Sequence, residues 1–63
     1  MSPVEEALLE IETAIRYLRR ASDRLSSEFA PDPQTALKDL AGAAKNIGFA
    51  QQSITHHLST PQG

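Results

Sequence analysis

Apolar residues recur along the first half of the chain at Val4, Leu8, Ile11, Ile15, Leu18, Leu25 and Phe29, in steps of four and three broken only at Ser22. That spacing puts them on one stripe of an α-helix with a seven-residue repeat. The second half repeats the rhythm at Leu37, Leu40, Ala44, Ile47, Gln51, Ile54 and Leu58. Between the two runs, "APDPQT" carries prolines at positions 31 and 33, which cannot both continue a helix. The pattern predicts helix one over 3–29, a turn over 30–33, helix two over 34–59 and a frayed tail over 60–63.

The start signals agree with the rhythm. Ser2 can cap, Pro3 suits the first helical position and Glu5 can close a capping box, and Asp32 followed by Pro33 repeats the device. Glu5, Glu6, Glu10 and Glu12 precede Arg16, Arg19, Arg20 and Arg24, the order that complements a helix macrodipole. A turn this short makes the helices antiparallel neighbours, so the fold class is all-α, an antiparallel helical hairpin. With the turn centred near Pro31, the apolar seams would face each other, Ile15 against Ile47 and Leu8 against Ile54.

Small residues flank both seams at intervals of seven. They are Ala7, Ala14 and Ala21 on helix one and Ala36, Ala43 and Ala50 on helix two, with Ala41, Gly48 and Thr55 on the other shoulder. Seam and shoulders together are wider than one partner helix covers, as in a bundle helix with two neighbours. The hairpin is therefore expected to dimerise into a four-helix bundle, its Ala shoulders turned to the second copy. Ser22 and Gln51 are the polar interruptions, and Gln51, opposite Ile11, has the character of a residue that specifies pairing.

Size supports an assembly. A chain of 63 residues without Cys has neither disulfides nor thiolate metal sites to stabilise a thin core, which leaves a partner chain. A net charge of -2 gives no overall attraction to nucleic acid or to an anionic membrane. With no secretory leader and no run of eighteen apolar residues, a cytoplasmic protein is expected.

Candidate chemistry is sparse. Adjacent His56 and His57 point about 100° apart on a helix and cannot chelate one metal together, so no metal or other cofactor is expected. His57 could instead meet Glu5 across the hairpin. No nucleophile elbow, paired carboxylate or phosphate-cradling loop is present, and catalysis is not expected. Arg16, Arg20 and Arg24 make a ridge with Tyr17 alongside that could contact nucleic acid, although carboxylates in reach on the same helix (Glu12, Asp23, Glu28) fit a solvated, salt-laced face better. Phe49 falls on the outer back of helix two, and with Leu9 and Tyr17 off their seam it is a candidate contact for another protein.

The sequence thus predicts a non-catalytic interaction or regulatory module acting as a homodimer. A nucleic-acid-binding regulator using the Arg ridge comes second, and a subunit or inhibitor in a hetero-complex third.

Overall fold

The computed structural model describes residues 2–59, which form two helices, α1 (Pro3–Leu25) and α2 (Pro33–Ser59), packed against each other as an antiparallel hairpin. The expected tail at 60–63 lies outside the described residues. No helix among the described residues is long and apolar enough to cross a membrane.

Both helices open on the same device. Ser2 is extended, its Oγ accepts a hydrogen bond from the Glu5 amide at 3.1 Å, and Pro3 follows in the first turn. Asp32 Oδ1 accepts from the Thr35 amide, also at 3.1 Å, so α2 begins at Pro33. Each cap satisfies an amide that the helix cannot.

The first helix ends at Leu25, four residues before the expected 29. The seam rhythm counted Phe29 as helical but took no account of the serines before it. The Ser26 hydroxyl donates back to the Ser22 carbonyl at 2.8 Å, and Ser27 Oγ accepts from the Ala30 amide at 3.3 Å. Such local bonds compete with the helical ladder. The Asp32 amide then donates to the Arg24 carbonyl at 3.0 Å, folding the loop back onto the helix end. Phe29 is left 97% exposed in that loop.

The contact line between the helices corrects the expected packing. The line is built from Ala7, Ala14 and Ala21 against Ala36, Ala43 and Ala50, each at most 4% exposed, whereas no large side chain is fully buried. The seam residues Val4, Leu8, Ile11, Ile15, Leu18, Leu25, Leu37, Leu40, Ile47, Ile54 and Leu58 are 39 to 78% exposed. The Ala row joins the hairpin and the large residues flank it, so the expected roles of seam and shoulder are exchanged. The expected pairs Ile15–Ile47 and Leu8–Ile54 therefore do not form the hairpin's contact line. The physical reason is reach: methyl-sized side chains let two backbones approach more closely than Leu or Ile would, and interaxial distance follows the side chains at the contact.

Candidate interaction faces

Offsets from the Ala row assign the faces of the hairpin. On α1 the large apolar residues stand one and four positions after each Ala: Leu8 and Ile11 after Ala7, Ile15 and Leu18 after Ala14, and Leu25 after Ala21. On α2 the same offsets give Leu37 and Leu40, Ala44 and Ile47, and Ile54. Equal offsets on two right-handed helices running antiparallel bring both sets to the same side. The hairpin is thus a two-helix plate with one apolar face, interrupted by exposed Ser22 and Gln51. Residues nearest the contact line, such as Ile11, Leu40 and Ile47, are close to 40% exposed, and outer ones such as Leu8, Leu37 and Leu58 more so.

The plate is large for one small chain. At about 200 Å² for a fully exposed aliphatic residue, these side chains leave roughly 1,000 Å² of mainly apolar surface in water. The largest apolar patch on a typical monomer is about 300–600 Å².

Positions three after and one before each Ala make the opposite, polar face. There Arg24 Nε donates to Asp39 Oδ2 at 2.7 Å, joining α1 to α2 beside the turn. Asp39 is the polar residue buried among the alanines. Further from the loop, Tyr17 lies against Gly42 so closely that a Cβ there would fall 2.9 Å from Tyr17 Cε1. Gly42 is therefore a receptor for the Tyr17 ring, which explains a helix-interior glycine despite its low propensity. Arg20 stands over the same ring at 5.9 Å from its centroid. Asn46 Nδ2 donates to the Gly42 carbonyl at 3.0 Å beside it.

The other glycine of α2 has no such partner in its own chain. A Cβ at Gly48 would meet nothing within 4 Å. Gly48 lies with Ala41 and Thr55 along the outer rim of the apolar plate, where Glu12 and Arg19 occupy the corresponding rim of α1.

Several candidate residues take different places from those expected. Arg24 is committed to Asp39, not to Glu28, so the Arg ridge is reduced to Arg16 and Arg20. Neither they nor Arg19, Lys38 and Lys45 have a carboxylate within ion-pair distance among the described residues, contrary to the expected salt-laced face. Tyr17 is half-buried and belongs to the hairpin contact instead of forming a free patch. Phe49 shares the heptad position of Gly42, one before the Ala row, which puts it on the polar face and away from the apolar plate. It is 42% exposed, with Lys45 Nζ 5.9 Å from its ring centroid. Leu9 is about half exposed, toward the outer edge of the polar face. No ion pair joins His57 to Glu5 among the described residues.

Shallow depressions lie along α1, one lined by Thr13, Arg16, Tyr17 and Arg20 and another by Glu12, Ile15, Arg16 and Arg19. Asp32, the cap of α2, has an altered acidity. Hydrogen bonds from Thr35, through side chain and amide, hold its pKa below the ordinary value, the Arg24 and Lys38 charges add to this, and partial desolvation opposes them. The arrangement offers an extended apolar docking face and a polar back, with cations spread along its turn-proximal half. Comparison of the chain with protein-family models, with curated proteins and with solved structures finds no match.

Proposed function

We propose that the hairpin is a non-catalytic interaction module whose apolar plate is covered by a second copy of the same chain, giving a homodimeric four-helix bundle. The carrying observation is that the hairpin buries six alanines and no large side chain, while its Leu, Ile and Val residues other than Leu9 stay 39 to 78% exposed on one face. A buried methyl contributes about 0.8 kcal/mol, so the Ala row is a thin source of stability for a chain this long. The plate's roughly 1,000 Å² compares with about 800 Å² per partner in a standard stable interface. A plate identical in both copies is self-complementary in polarity, which favours the second copy over a different partner.

Light scattering over a dilution series should give twice the 6.8 kDa chain mass, with a thermal midpoint that rises with protein concentration. Ile47→Glu, which places a charge in the plate, should shift the mass toward monomer. A cooperative, folded monomer across the whole series would refute self-association and leave the plate to a different protein.

A second reading, binding of nucleic acid by the polar face, is favoured by the absence of carboxylates within ion-pair distance of Arg16 and Arg20 among the described residues. Association would then weaken steeply with salt, and Arg16→Ala with Arg20→Ala would flatten that slope. Failure to retain single strands, structured RNA or duplex DNA at low salt would remove it.

A further inference from the structure

Two hairpins can stack plate to plate about a two-fold axis in two ways. With the turns at the same end, α1 lies over α2 of the other copy. With the turns at opposite ends, α1 lies antiparallel on its own counterpart and α2 on its own. We infer that the turns lie at opposite ends, a proposal that rests on the self-association argued above.

The two rims of the plate decide between the arrangements, because they differ in chemistry. The α1 rim is charged, with Glu12 and Arg19 on either side of Ile15. The α2 rim is small, with Ala41 and Gly48 on either side of Ala44. Tyr17 packed on Gly42 sets the two helices level, so that Ile15 and Ala44 both stand near mid-hairpin. Antiparallel pairing of like helices about that midpoint brings Glu12 level with the partner's Arg19. It also brings Gly48 level with the partner's Ala41. Symmetry makes each pairing twice, as an isologous interface requires.

Both pairings account for something the single chain leaves unexplained. Glu12 and Arg19 have no ion-pair partner within the chain among the described residues, and across the interface each gains one. Gly48 has open space where its Cβ would be, so its own hairpin gives no reason for the poorest helix former after proline. A partner helix approaching over Ala41 and Gly48 supplies that reason, since two small rims allow backbones to come close. Turns at the same end would lay the charged rim over the small one. Glu12 would then face Gly48, Arg19 would face Ala41, and neither charge would meet its opposite.

The chain has no cysteine, so single cysteines report the geometry directly. Ala44→Cys sits on the α2 midline and Ile15→Cys on the α1 midline. Under mild oxidation each variant alone should form a covalent dimer, because the paired Cα atoms come within about 7 Å of each other. Rim variants serve as the second measurement, and a mixture of Gly48→Cys with Ala41→Cys should give the mixed dimer. Cross-linking only when Ile15→Cys and Ala44→Cys are mixed would place the turns together and overturn the inference. So would a dimer mass under reducing conditions with no cross-link in any variant. A monomer mass for the unsubstituted chain would instead overturn the self-association beneath it, so the two failures are told apart.

Discussion

Replacing Gly42 by Ala should have opposite effects on stability depending on whether Tyr17 is present. In an exposed helix interior, Gly→Ala gains about 1 kcal/mol through helix propensity. At Gly42 the added methyl would lie 2.9 Å from Tyr17 Cε1, 3.0 Å from Cζ and 3.1 Å from Cδ1, inside normal contact distance for three ring atoms at once. The ring is half-buried between the helices and carries Arg20 on it, so it cannot swing clear without losing that packing. Overpacking of this kind costs about 1–3 kcal/mol, which offsets the propensity gain or exceeds it by as much as about 2 kcal/mol. Tyr17→Ala should itself destabilise, through loss of the ring's contacts. In that background Gly42→Ala meets no ring and should recover the full gain of about 1 kcal/mol. The interaction term of the double-mutant cycle is then about 1–3 kcal/mol. Helical ellipticity followed against temperature at one fixed protein concentration measures it, with about 4–8 °C expected per kcal/mol for a chain of this size. If Gly42→Ala raises the midpoint equally in both backgrounds, the ring is not seated on Gly42 and the contact line described here is misplaced.

Three further outcomes follow from the same geometry. Asp39→Ala should lower stability by about 1 kcal/mol, the cost of a charged hydrogen bond reduced by solvent around the partly exposed Arg24, and an unchanged urea midpoint would show the pair to be idle. Because the Asp32 pKa is depressed in the fold, its contribution is complete above the unfolded carboxyl value and is lost as pH falls through the lower folded value. Asp32→Asn should therefore show less acid sensitivity than the unsubstituted chain in that window, and superimposable pH profiles would rule the cap out as its source. Phe49→Ala should cost about 1–2 kcal/mol, because more than half of the residue is covered on the polar face, and an unaltered midpoint would mean that the ring is free for other contacts.

Local chemistry alone determined the elements of this protein. Ser2-Pro3 and Asp32-Pro33 announce their helix starts because a cap and a proline act on neighbouring backbone groups, and the structure places both caps in hydrogen-bonding position. The early end of α1 was also written locally, in Ser26 and Ser27, but the apolar rhythm running on to Phe29 masked it. The heptad pattern marked which residues share a stripe, and the alanines at intervals of seven were visible within it. The sequence could not say which stripe meets the other helix. A row of Leu and Ile and a row of Ala have the same period, and the choice depends on how closely two backbones can approach, which is a property of the pair. That choice moved the large residues onto an open face. It also brought Arg24 to Asp39 and Tyr17 to Gly42, contacts between residues 15 and 25 positions apart that no local spacing rule reaches. The two glycines show the division most plainly. Gly42 and Gly48 look alike as interruptions of one helix, and only the tertiary structure distinguishes the one filled by a ring of its own chain from the one that stands open at the rim of the plate.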